Sequence, residues 1–113
     1  MKVLLFETER TLGVLYKEIF ETQGIEICLT CDLKKFEKAA KSPWDYVIAA
    51  LPFCRQEARK LLQTVAMLHV PVVVITSGSE AIEDAKKLVG SGRVVRVVYP
   101  KPFEPTDILR LFS

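Results

Sequence analysis

Lys101 lies between Pro100 and Pro102, just after the β-branched run Val94-Val95-Arg96-Val97-Val98. Proline lacks a backbone N–H and restrains the residue before it, so Pro100, Pro102 and Pro105 hold off helix until the Glu104–Asp107 region. The lysine therefore falls at the carboxyl end of a strand. Thr76 ends the run Val72-Val73-Val74-Ile75 in the same way, with a Ser-Gly-Ser turn beyond it. Ligands of open parallel sheets gather outside the carboxyl ends of the strands, so neighbouring strands would bring this ammonium and hydroxyl to one crevice. The two could hold an anion such as a phosphoryl group. Forming an acyl phosphate requires more: a carboxylate nucleophile held in line and a cation to neutralise charge.

The sulfur chemistry is thinner. Cys28 and Cys31 have the C-x-x-C spacing of redox and zinc sites, but structural zinc takes four ligands and a thioredoxin-like pair needs its own fold around it. Cys28 reads more simply as a strand residue facing the core, with a small thiol redox protein as the rival. Cys54 needs a base to become a nucleophile, and the sole histidine, His69, falls at the far end of a helix as a surface residue. The cluster Lys34, Lys35, Lys38 and Lys41 reads as the wet side of a helix, and Trp44 as a cap on the lower end of the third strand.

These residues need a scaffold, and the chain supplies one in alternating segments. Lys2–Phe6 is a compact apolar strand, and Leu12, Leu15, Tyr16, Ile19 and Phe20 then recur at helical spacing up to Gly24. Ile25–Leu29 is a second strand, with Thr30 or Asp32 capping a helix that carries Leu33, Phe36 and Ala40. Asp45–Leu51 is the third strand, followed by a helix with Ala58, Leu61, Leu62, Val65 and Leu68 on its buried side. Pro71 opens the fourth strand, Ile82, Ala85, Leu88 and Val89 mark a fourth helix, and Ile108, Leu109, Leu111 and Phe112 begin a last one after the fifth strand. Short connections leave only crossover helices between strands, which implies a doubly wound parallel sheet in three layers.

Composition bounds the function. The 113 residues fit one domain, 1–113. Sixteen basic and 14 acidic residues give a net charge of +2 spread along the chain, so no basic stripe points to nucleic acid and no membrane attraction is expected. No apolar run approaches the roughly 20 residues a bilayer needs. Three cysteines without an export signal fit reduced thiols and a cytoplasmic location.

Val73-Val74-Ile75-Thr76 and Lys101-Pro102-Phe103-Glu104-Pro105, on this succession of elements, resemble the receiver domain of two-component response regulators across the whole chain. The resemblance implies a flavodoxin-like five-stranded sheet in the order 2-1-3-4-5. It also implies a phosphorylation pocket, with two consecutive acids after strand one, an acceptor aspartate ending strand three, the threonine and the lysine. Here Glu7 takes the first acidic place, Thr8 replaces the second, and the acceptor slot falls at Ala50 between Ala49 and Leu51. Magnesium is normally anchored by one or two carboxylates within near-octahedral oxygen ligation, so no metal or other cofactor is expected. The implied pocket is vestigial: Glu7, Thr8, Ala50, Thr76 and Lys101, with no catalytic residue.

The first reading is thus a non-phosphorylatable, receiver-like interaction or adaptor module. The rival is an active receiver in which a displaced acid, Glu9, helps to hold metal. A module without chemistry acts through a surface. The resemblance implies the face of helix four, strand five and helix five, with Lys86, Lys87, Arg93, Arg96, Tyr99 and Arg110, meeting a protein partner or a second copy.

Overall fold

The computed structural model describes residues 1–52, 54–75, 83–87 and 94–98. Five strands, β1 (Lys2–Phe6), β2 (Glu26–Thr30), β3 (Tyr46–Ala50), β4 (Val72–Ile75) and β5 (Val94–Val98), form one parallel sheet in the order β2-β1-β3-β4-β5. This is the order the resemblance implies. Between the strands run α1 (Arg10–Thr22), α2 (Leu33–Ala39) and α3 (Arg55–Ala66), and residues 83–87 are helical.

Strand residues alternate between two faces, and each face meets its own helices. Val3, Leu5, Ile27, Ile48, Ala50 and Ile75 pack with Tyr16 and Phe20 of α1. Leu4, Phe6, Val47, Ala49, Val72 and Val74 pack with Phe36 of α2 and with Ala58, Leu61, Leu62 and Val65 of α3. An edge-on contact between Phe6 and Phe36, ring centroids 5.3 Å apart, ties α2 to the second layer. Both layers are needed because a parallel sheet is apolar on both sides.

The helix ends show how local chemistry sets the boundaries. Gly24 adopts φ 79°, the left-handed conformation that stops α1. The Ile25 N–H donates to the Phe20 carbonyl at 3.1 Å, so Ile25 completes the helix stop and β2 begins one residue later than its β-branched character suggests. Asp32 caps α2, its carboxylate accepting from the Lys35 N–H at 2.8 Å. Thr30, the other candidate cap, instead donates its hydroxyl to the Leu5 carbonyl across the sheet at 3.0 Å. Trp44 donates its indole N–H to the Ala39 carbonyl at 2.7 Å, closing the end of α2 ahead of β3. One packing expectation fails: Leu15 is exposed, because the buried stripe of α1 runs through Gly13, Tyr16 and Phe20.

Candidate functional site at the strand ends

The register brings the carboxyl ends of three strands level. Phe6 pairs with Thr30 on one side and Ala49 on the other, and Ala50 pairs with Ile75. Glu7, one residue past Phe6, therefore stands beside Ala50, about one strand spacing of roughly 4.8 Å away. Thr76 and Lys101 lie outside the described residues, as do Arg93, Tyr99 and Arg110.

Glu7 is fully buried. Its backbone N–H donates to the Thr30 carbonyl at 3.0 Å, and its Oε1 accepts from the Glu9 N–H at 3.1 Å. A carboxylate accepting a backbone N–H two residues on closes a tight local turn, which directs the chain from β1 into α1. Thr8 sits within that turn and is exposed, as is Glu9. Gly13 faces Leu29 of β2. A Cβ there would lie 2.7 Å from Leu29 Cδ1, so the bare backbone lets α1 close down on the Leu29 side chain, while the 3.4 Å to Glu7 Cβ would be ordinary contact.

Tyr16, one turn along α1 from Gly13, is buried to its hydroxyl oxygen. Burial, reinforced by the charges of Glu7 and then Glu9, pushes its pKa from 10.0 up to about 12. The phenol therefore stays neutral throughout the physiological range. The sequence presents Tyr16 as one more apolar position on a helical stripe, and its pairing with the acid site became visible only once α1 was docked. A glycine in mid-helix was the available signal for the close approach of α1 to Leu29.

The end of β3 is of a different kind. Ala49 and Ala50 are fully buried and Leu51 nearly so, and the Leu51 N–H donates to the Ile75 carbonyl at 2.7 Å. No oxygen nucleophile projects from this strand end. The magnesium ion that the receiver fold implies does not fit the described residues. Glu7 brings one buried carboxylate, Ala50 brings none, and no three of His, Cys, Asp or Glu come together among the described residues. All three cysteines are free thiols, Cys28 and Cys31 half-buried on and just after β2 and Cys54 exposed before α3. Cys28 packs against the α2 and α3 layer, as a strand residue facing the core should. His69 is exposed ahead of β4, and Lys34, Lys35, Lys38 and Lys41 are all exposed.

No protein-family model matches the sequence, and no curated protein matches it. Solved structures do match the fold. The chemotaxis response regulator CheY4 of Vibrio cholerae aligns with a TM-score of 0.78 at 19% identity, over 98% of this chain and 94% of that one. The signal receiver domain of a putative Luxo repressor protein from Vibrio parahaemolyticus gives 0.80 at 18% identity, over 98% and 85%. The receiver domain of the sensor histidine kinase PA1611 from Pseudomonas aeruginosa, which has a magnesium ion coordinated in its active site cleft, gives 0.74 at 14% identity over 97% and 92%. The chain has the receiver fold.

Proposed function

We propose that this chain is a receiver-like protein interaction module of two-component signalling whose acceptor position no longer takes a phosphoryl group. The observation that carries the reading is Ala50, fully buried beside Glu7 where the receiver pattern calls for the acceptor aspartate. An aliphatic side chain offers no lone pair for attack on phosphorus, and a single buried carboxylate is a poor anchor for magnesium. Glu7 then has a structural role, holding the turn into α1. Thr76 and Lys101 are assigned to the anion side of the same vestigial pocket, and no catalytic residue is assigned.

Signal output from such a module depends on contact. Lys86 and Lys87 are exposed, and with Arg93, Arg96, Tyr99 and Arg110 they are the residues proposed to meet a protein partner or a second copy. Arginine and tyrosine are favoured interface anchors. Among the described residues no helix is long and apolar enough to cross a membrane, and action in the cytoplasm belongs to the proposal.

The test is incubation with acetyl phosphate and magnesium, followed by intact-mass measurement. No phosphoryl adduct is expected, and the amide resonances of Glu7, Gly13 and Ala50 should not move on addition of beryllofluoride. The rival, a receiver using Glu9 as a displaced metal ligand, has one observation in its favour: the Glu9 charge acts on Tyr16 together with that of Glu7. An adduct cleaved by alkali and by hydroxylamine, as an acyl phosphate is, or a saturable shift at Glu7, would establish that rival.

A further inference from the structure

We propose that the open edge of β2 is a docking site for an extended acidic segment of a partner protein, which adds to the sheet as a further strand. The groove adjoins the strand-end pocket at Thr30, but the proposal does not depend on the reading given to that pocket. β2 is the terminal strand of the sheet, with β1 as its one strand neighbour. Glu26 donates its N–H to the Met1 carbonyl and Thr30 accepts from the Glu7 N–H, so both direct their backbone groups towards β1. Alternation along a parallel strand then turns the N–H and C=O groups of Ile27 and Leu29 outward.

Along this edge the register with β1 runs unbroken from Lys2↔Glu26 to Phe6↔Thr30, and the strand contains neither proline nor lysine, Glu26 at its start being its one charge. A groove of about 740 Å³ follows it. Arg10 and Lys17 line the α1 side, Lys35 and Trp44 the α2 side, and Lys2 one end, opposed by the acids Glu26 and Asp32. Asp32 is already engaged as the cap of α2 and in an ion pair with Lys35. The cationic walls select an acidic occupant and oppose a second copy, which would bring the same cations face to face. Main-chain pairing would supply affinity along a strand of roughly 16 Å, five residues long.

Trp44 is the only tryptophan in the chain and lines the groove, so its fluorescence reports occupancy directly. The probe is a synthetic peptide alternating valine with glutamate. The controls are its counterpart with lysine for glutamate and a version N-methylated at alternate residues. The acidic peptide is expected to change Trp44 emission saturably, to slow amide exchange at Ile27 and Leu29, and to bind at least about tenfold more tightly than either control. The double variant Arg10→Glu/Lys17→Glu alters exposed or half-exposed positions on α1 and should lose about tenfold in affinity with its circular dichroism unchanged. Equal binding of the acidic and lysine peptides would overturn the proposal, as would undiminished binding of the N-methylated one. So would protection of Ile27 and Leu29 that rises with protein concentration alone, which would assign the edge to self-association.

Discussion

The ends of β1 and β3 lie side by side in one sheet, reached by equally short strands, and differ in everything chemical. The first ends in a buried carboxylate tied into a turn, with a neutral phenol nearby. The second ends in two alanines and a leucine, buried as ordinary core. Glu7 also serves the backbone, because its Oε1 accepts the Glu9 N–H where β1 hands over to α1. Ala50 has no such second task, since its backbone pairing with β4 is indifferent to the side chain. On the function proposed above, an acid that holds a turn outlasts a loss of chemistry, whereas an acid kept only for chemistry has no structural reason to stay.

The sharpest way to break this contrast is to put the missing acid back. Ala50→Asp would bury a second carboxylate beside Glu7, and should cost on the order of 3 kcal/mol in urea unfolding at neutral pH; a much smaller loss would mean that Lys101, proposed for the anion side of the pocket, pairs with the new carboxylate. Protonating either carboxylate relieves their mutual repulsion, so the loss should shrink on acidification. Millimolar magnesium should raise the melting temperature of this variant and leave the native chain unchanged, because only the variant brings two carboxylates to one ion. A native chain stabilised as much as the variant would show that the end of β1 binds the cation without help from β3.

A smaller effect lies on the β1 side alone. Tyr16 ionises near 10.0 when unfolded and near 12 when folded. Below 10.0 both states hold the proton and the stability is fully present. Between the two values the unfolded state loses its proton first, so stability falls as pH rises, by a total on the order of 2 kcal/mol. Glu7→Gln removes one of the charges that hold the phenol neutral, so Tyr16 absorbance should titrate at lower pH in that variant. Chemical unfolding from pH 9 to 12 on the native chain and on Tyr16→Phe checks the assignment, and the phenylalanine variant should lack this alkaline loss.

What could be read from the residues, and what could not, follows the range of the forces involved. Hydrophobic period and turn residues are local, so five strands and their order of appearance were legible, and the level strand ends followed from counting along β1 and β3. The start of β2 was misplaced by one residue because Ile25 is claimed by the Phe20 carbonyl, a helix-stop bond that outweighs its β-branched preference. Thr30 and Asp32 were equal candidates as a cap until the sheet took the threonine hydroxyl. The Tyr16 contribution to the acid site needed the docking of α1, a tertiary event. The basic groove along β2 assembles Lys2, Lys17 and Lys35 from three separate segments, so no single run of sequence contains it.

The third strand end, that of β2, supplies the smallest and most local test. Asp32 is an acid at a strand end like Glu7, but exposed, and its bonds stay within four residues: Oδ1 accepts the Lys35 N–H at 2.8 Å, and Oδ2 lies 3.9 Å from the Lys35 ammonium. If strand-end acids persist here through backbone service, the cap should matter and the ion pair should not. Asp32→Ala removes both and should cost about 1 kcal/mol, typical of a lost N-cap. Asp32→Asn keeps an oxygen for the Lys35 N–H while removing the charge, so its cost should be only a few tenths of a kcal/mol, about what an exposed pair is worth. Lys35→Ala should match the asparagine variant, leaving the cap intact. Urea midpoints for the three variants decide the point: equal losses for Asp32→Ala and Lys35→Ala would place the stability in the ion pair, and would remove Asp32 from the class of acids held by the turn they close.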